Sequence, residues 1–325
     1  MVHLRIVAPA DRSGKVIGLL EATPSACNLI FLAGAARQPA GDVILCDVAR
    51  EDASIVIDDL RELGIPRDGS IALEQIDSQI SDVAKRAERA ARGAPSDAVV
   101  WEEVEARTSE SSELGGNFLI FMALACLIGS VGIFTGSPIL IVGAMVVGPE
   151  FGPLAGFCVA LVERRRGPAL RSLSALAIGF PVGITAAFLF ALICIATGLV
   201  DAGFKSVDNP LTQFIAEPDT FSIVVAVFAG TAGVLSLTSA KSGALIGVLI
   251  SVTTIPAAAN IGVAAALGNW DDWVGAMTQL TLNLTGIVAA GVCTLYVQRR
   301  LYERRRTRHL EDGTRAAAGL PAERA

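Results

Sequence analysis

With 325 residues, 52% hydrophobic side chains and a mean hydropathy of +0.56, the chain is too apolar for an ordinary soluble protein, and the excess belongs in lipid. The net charge of −6 divides into −8 over residues 1–116, −2 over 117–298 and +4 over 299–325, from 12 Lys and Arg against 20 Asp and Glu, 6 against 8, and 8 against 4. An acidic head argues against a nucleic-acid partner, and with His3 and His309 the only histidines and neither HExxH nor GxSxG present, the chain is not expected to be an enzyme.

Residues 1–77 read as strand, helix, strand, strand, helix, strand. The strands are HLRIVAP, CNLIFLAG, VILCDVA and SIALEQI; Gly14 to Ala22 is helical, and Ala53, Val56, Ile57, Leu60 and Leu63 share one helical face. This order predicts an α+β ferredoxin-like domain serving assembly or ligand sensing, although no phosphate loop or nucleotide fingerprint is present. The N-terminus MVHLRIVAPADRSGK lacks a basic region followed by a short apolar core, so the head is expected in the cytoplasm.

Residues 78–116 are a charged helical linker, with Ile80, Val83, Ala84, Ala87 and Ala91 at helical spacing, a Gly93-Ala94-Pro95 interruption and the polar hinge TSESSE. Trp101 has two readings of equal weight: docking on the membrane surface or packing on the head.

Residues 117–298 carry the membrane segments. Leu114 to Pro149 is uncharged for 36 residues and is divided by Thr135-Gly136-Ser137-Pro138, a tight turn between two helices. The second helix continues to about Val162; Ser172–Val200, Phe221–Ala240, Ser242–Trp270 and Val274–Gln298 follow, giving six spans. Arg164, Arg165, Arg166, Arg171 and Lys241, with the basic tail 299–325 (Arg299, Arg300, Arg304, Arg305, Arg306 and Arg308), mark the cytoplasmic side. The opposite loops hold only Lys205 among acidic residues (Asp201, Asp208, Glu217, Asp219, Asp271, Asp272), with Trp270 and Trp273 as interface anchors. Both termini are therefore expected inside. Cys126, Cys158, Cys194 and Cys293 fall in apolar segments and Cys27 and Cys46 in strands; their spacing suits neither a disulfide framework nor a zinc site, and no metal or cofactor is expected.

Two stretches break the pattern of simple apolar helices. In Gly143 to Gly156, Gly148-Pro149 and Gly152-Pro153 remove amide donors around Glu150; in the fifth span, Ser251 to Gly262 contains Thr253, Thr254, Pro256 and Asn260. The motifs IVGAMVVGPEFGPLAG and LIGVLISVTTIPAAANIG each occupy the middle helix of a group of three, so the expected architecture is a 3+3 inverted repeat with a site between paired broken helices. The alternative is a pair of proline kinks that allow close packing of small residues. Glu150, a lone carboxylate deep in a span, is the best single candidate, as a proton carrier or as a cation ligand with Thr253, Thr254, Asn260 or Asn283. The competing reading places Glu150 at a mouth or against Lys241. The helix starting after Pro153 would instead favour an anion, which leaves charge selectivity open. Thr278, Gln279, Thr281, Asn283 and Thr285 add polar groups to the sixth span, as cavity lining or as interhelical hydrogen bonds.

VILCDVARE in the head, GAMVVGPEFGPLAGFCVAL in the second span and IPAAANIGVAAAL in the fifth resemble the family catalogued as domain of unknown function 389, over most of residues 1–297. The resemblance implies a bacterial membrane protein with several spans, sometimes preceded by such a head, and implies no particular activity. Many members have a small or apolar residue where Glu150 stands, so the resemblance implies at most a subgroup role there. The combined expectation is a multi-pass inner-membrane homo-oligomer that moves a small solute or ion across the bilayer. A channel gated by the head and a sensor or scaffold without transport are the alternatives.

Overall fold

The computed structural model describes residues 1–76, 78–91, 98–201, 203–205, 215, 219–239, 253–310 and 313–320. Gly93-Ala94-Pro95, Asp208, Glu217, Lys241 and the stretch from Ser242 to Val252, on which some expectations rest, lie outside them. Two compact units emerge, Met1–Val104 with Gln298–Ala325, and Glu105–Val297.

In the first unit, alternation in VHLRIVA builds β1 (Val2–Ala8), whose Val2, Leu4, Ile6 and Ala8 enter the core. α1 (Ala10–Ala22) buries Val16, Leu19 and Leu20. β2 (Ala26–Arg37) and β3 (Ala40–Val48) pair antiparallel, and α2 (Arg50–Glu62) covers the core with Ala53, Val56, Ile57 and Leu60. Gly64, at φ 75°, turns the chain into a short α3 (Ile65–Asp68) before β4 (Ser70–Gln75). The sheet runs β2-β3-β1-β4, antiparallel throughout, in the expected order of strands and helices.

α4 (Asp82–Ala90) starts where the Ser81 hydroxyl accepts from the Ala84 amide, and lays Ala84 and Ala87 against Cys27. Trp101, at the start of α5 (Trp101–Ser111), is buried in this unit: it meets Tyr302 edge-on at 6.3 Å and lies under the Arg299 guanidinium at 5.0 Å. Packing, rather than membrane docking, accounts for it. The basic tail is tied to α2: Tyr302 donates to Asp58 at 2.6 Å, Arg306 meets Glu62 at 2.7 Å, His309 meets Asp59 at 2.7 Å, and Arg315 pairs with Glu62.

The second unit is helical. α6 (Gly116–Thr135) buries Phe118, Met122, Ala125, Cys126, Gly129, Ser130 and Ile133 along one stripe and turns Ile120, Phe121 and Leu124 outward. It ends at Gly136, at φ 60°, and the Ser137 hydroxyl caps α7 (Pro138–Val147) by accepting from the Leu140 amide, which is the expected turn. α8 (Phe151–Val162) follows after a 50° bend. α9 (Arg166–Ala196), α10 (Thr220–Thr238), α11 (Thr254–Leu267) and the part of α12 (Trp270–Leu310) up to Val297 complete the unit. Small residues set the close approaches: a Cβ on Gly262 of α11 would lie 2.5 Å from the Ile184 carbonyl of α9, and one on Gly230 of α10 would lie 2.5 Å from the Ile287 carbonyl of α12.

Among the described residues α6, α9, α10 and α12 are long and apolar enough to cross a membrane, and the bent pair α7–α8 makes a fifth span if taken as one. α11, at 14 residues, falls short alone of the ~20 needed to cross. The remainder of the expected fifth span precedes it, in residues 242–252, outside the described part.

Candidate functional site

The break between α7 and α8 follows from its prolines. Pro149 has no amide to continue α7 and holds Gly148 extended, at φ −62° and ψ 127°. Glu150 then caps α8, and Pro153 sits in its first turn, where no intrahelical donor is required. α11 begins the same way. Thr253 is its capping residue, Thr254 its first and Pro256 its third, so both helices start on a polar residue three positions before a proline.

These two starts meet. The Thr254 hydroxyl donates to Glu150 Oε1 at 2.7 Å, joining the N-terminus of α8 to that of α11. α12 supplies the other side: Asn283 Nδ2 donates to Thr253 Oγ1 at 2.6 Å, and Gln279 Nε2 lies 3.3 Å from the same oxygen and 3.4 Å from Asn283 Oδ1. Glu150 is 3% exposed, Thr254 0%, Gln279 2% and Asn283 4%, so these four are enclosed by protein while Thr253 is half-buried. The N-termini of α8 and α11 meet beside this carboxylate, and neither is closed by a side-chain cap bond. Glu150 Oε2 and Gln279 Oε1 have no hydrogen-bond partner among the described residues. Unsatisfied acceptors at such burial are costly, and they mark positions that a proton, a cation or water would satisfy.

A cavity of about 320 Å³ abuts the same break, lined by Gly148, Pro149, Phe151, Gly152 and Ala155 together with Arg107, Thr108, Ser111 and Leu237. Gly148 belongs to both features, because a Cβ there would strike the Glu150 carboxylate and Ile255. Gly152 is held by closeness to Ser111, whose Cβ would be 2.6 Å from an added side chain.

The structure thus brings Glu150, Thr253, Thr254 and Asn283 into one cluster, with Gly148, Pro149, Gly152, Pro153 and Pro256 shaping its backbone. Asn260 is fully buried further along α11, and both of its amide atoms lack partners among the described residues, so it does not bond to the cluster. Gln279, expected only as one of the polar residues of the sixth span and not as a partner of the Glu150 site, joins the cluster. Its signal was its spacing of four from Asn283, which puts both on the buried face of α12 while Thr278, Thr281 and Thr285 turn outward. Among the described residues no group of three His, Cys, Asp or Glu side chains is arranged to hold a metal ion.

Residues 145–289 match the family model of the domain of unknown function DUF389. An uncharacterized protein of Methanocaldococcus jannaschii is 24% identical over 191 residues, covering 58% of this chain and 56% of that relative, so the chain spans little more than half of the relative's length. No solved structure matches. The matched segment includes every residue of the cluster, from Gly148 to Asn283, and stops short of the head and the tail. Over residues 145–289, in its apolar helical part, the chain is similar to proteins of the DUF389 family.

Proposed function

We propose that this protein moves a small solute or ion across the membrane through the site formed by Glu150, Thr253, Thr254, Gln279 and Asn283. The observation that carries the proposal is the hydrogen bond between Glu150 and Thr254, at the starts of two half-helices and walled off from the surroundings. A broken helix exposes backbone groups that apolar packing alone would not tolerate, and pairing two such breaks around polar side chains is how secondary transporters build a midplane site. In this reading Glu150 is the protonatable or cation-binding group, and the hydroxyl and amide oxygens complete its shell. The cavity behind Gly148 is the approach to it.

The finer architecture belongs to the same proposal: six spans in a 3+3 inverted repeat, a ferredoxin-like head and a basic tail in the cytoplasm of a bacterial cell, a site in the inner-membrane bilayer, and a homo-oligomeric assembly without enzymatic activity. The like beginnings of α8 and α11 support the repeat. A channel gated by the head is the second reading, favoured by α12, a single helix from Trp270 to Leu310 that carries both Gln279 and the tail arginines. A scaffold would have tight packing at the breaks, which the 320 Å³ cavity speaks against.

The test is flux in proteoliposomes with an internal pH-sensitive dye and a panel of cations, anions and small metabolites. The proposal expects one solute class or protons to move and Glu150→Gln to abolish or uncouple the movement. Flux that is unchanged in Glu150→Gln removes the site, and no flux across the panel from folded protein leaves the scaffold reading.

A further inference from the structure

The first compact unit holds a cavity of about 450 Å³, lined by Thr23, Pro24 and Ser25 before β2, Asp52, Ile55 and Val56 of α2, Ala90 of α4, and Arg305, Arg308 and His309 of α12. This volume lies in the range of small-molecule sites, about 300–1,000 Å³. Its chemistry is uneven. On one side three basic side chains share a face of α12, spaced three and four residues apart. His309 is fixed by Asp59 at 2.7 Å, whereas neither Arg305 nor Arg308 has an ion-pair partner among the described residues. The neighbouring tail residues Arg306 and Arg315 are engaged with α2 carboxylates, which leaves Arg305 and Arg308 to the cavity.

Opposite them is the Ser25 hydroxyl, only 2% exposed and without a hydrogen-bond partner among the described residues. The Ser25 carbonyl accepts from the Ala49 amide at 2.9 Å, and the neighbouring Thr23 hydroxyl donates to the Leu19 carbonyl at 2.8 Å, so neither is the partner of the Ser25 hydroxyl. A buried hydroxyl left open among the described residues marks a position that a ligand or a water would satisfy. Pro24, Ile55, Val56 and Ala90 give the floor an apolar surface, and Asp52 adds an acceptor.

The geometry points to a binding site for a small phosphorylated metabolite of about nucleoside-monophosphate size. Its phosphate would lie between Arg305 and Arg308 with Ser25 as a further donor, its organic part would rest on Ile55, Val56 and Ala90, and a hydroxyl or amino group would donate to Asp52. A carboxylate offers two oxygens to this donor set, whereas a phosphate offers three, and planar guanidiniums suit it. The apolar floor and the volume favour a soluble metabolite over a lipid headgroup, whose acyl chains would have no place in the cavity. Because Arg305 and Arg308 sit on the helix that carries Gln279 and Asn283, such a ligand would regulate the membrane site through α12; that last step rests on the proposed function, and the binding does not.

The test is isothermal titration calorimetry on the full chain in a neutral detergent, with AMP, glucose 6-phosphate, inorganic phosphate, adenosine and a short-chain phosphatidylglycerol as probes. We expect saturable binding of AMP or glucose 6-phosphate at one per chain, at least tenfold weaker binding of adenosine, and no displacement by phosphatidylglycerol. Arg305→Gln and Arg308→Gln should each weaken binding by about tenfold, the scale of one charge-assisted hydrogen bond, while Arg304→Gln, which removes the same charge outside the cavity, changes it less than about twofold. A thermal midpoint unchanged by the substitutions separates lost binding from lost folding. The inference is overturned if none of the phosphorylated probes saturates below about 1 mM, if Arg304→Gln weakens binding as much as the cavity variants, or if phosphatidylglycerol displaces the bound probe. Proteoliposome flux, measured separately, distinguishes failure of this site from failure of the transport reading.

Discussion

The contact between Glu150 and Thr254 permits a quantitative test by a double-mutant cycle. Thr254→Val keeps shape and volume but removes the hydroxyl that donates to Glu150 Oε1 at 2.7 Å. Since Oε2 already lacks a partner among the described residues, the variant leaves the carboxyl group without a side-chain partner at 3% exposure. Hydrogen bonds between neutral side chains in membrane helices average about 0.6 kcal/mol, while those to charged groups are worth about 1.5–3 kcal/mol. The coupling therefore reports the state of the group: about 1.5 kcal/mol or more for an ionised Glu150, about 0.6 kcal/mol for a protonated one. The assay is unfolding in mixed micelles with increasing SDS for wild type, Thr254→Val, Glu150→Leu and the double variant, with Thr254→Ser as the conservative control. Additive single effects, or a Thr254→Ser variant as unstable as Thr254→Val, would refute the contact.

Further outcomes follow from the packing and from the head. Gly262→Ala should destabilise the membrane unit by about 1–3 kcal/mol, because its Cβ would come within 2.5 Å of the Ile184 carbonyl and 2.8 Å of Ala187, whereas Gly143→Ala, with nothing within 4 Å, should be neutral in the same SDS titration. In the head, burial pushes the Glu51 carboxyl above its ordinary range, and the nearby Asp52 and Glu88 carboxylates add to this. A carboxyl whose folded value is raised contributes stability below its unfolded value of about 4.3 and loses it as pH rises through the folded value. Glu51→Gln should therefore raise the thermal midpoint of the head at pH 7 and leave it unchanged near pH 4; an equal effect at both would show that Glu51 acts by packing. Trp101 fluorescence should shift to longer wavelength in Arg299→Ala, which uncovers the ring, and an unchanged spectrum would show that the guanidinium 5.0 Å away does not shield it.

The strands of the head were legible because β1 alternates strictly, with Val2, Leu4, Ile6 and Ala8 all buried. The turn at Thr135–Pro138 was legible because Gly136 takes a left-handed conformation and Ser137-Pro138 is a ready helix start. The break at Gly148–Gly152 could be read for a similar reason, since proline removes donors wherever it falls. The likeness of the two broken stretches placed Glu150 in one site with Thr253, Thr254, Asn260 or Asn283, but did not say which of them it touches: nothing local to Glu150 or Thr254, 104 positions apart, selects that contact over Asn260. The polar residues of the sixth span were legible as a set but were not sorted by face, and helical phase alone separates buried Gln279 and Asn283 from the outward threonines. The tail was read as a basic orientation signal; its pairing with Asp58, Asp59 and Glu62 depends on α2 presenting three carboxylates within one turn or so, a long-range match between segments about 250 residues apart.

The central claim is that the enclosed cluster between α8 and α11 is reached by water during a transport cycle. The most direct measurement places a single cysteine at Thr253, in a background with the six native cysteines replaced by alanine, and follows its reaction with membrane-impermeant thiol reagents applied from either side of oriented vesicles. The account predicts labelling at a measurable rate, slowed by the transported solute and altered by Glu150→Gln. A Thr253→Cys variant that is folded and inert from both sides under all solutes would contradict it.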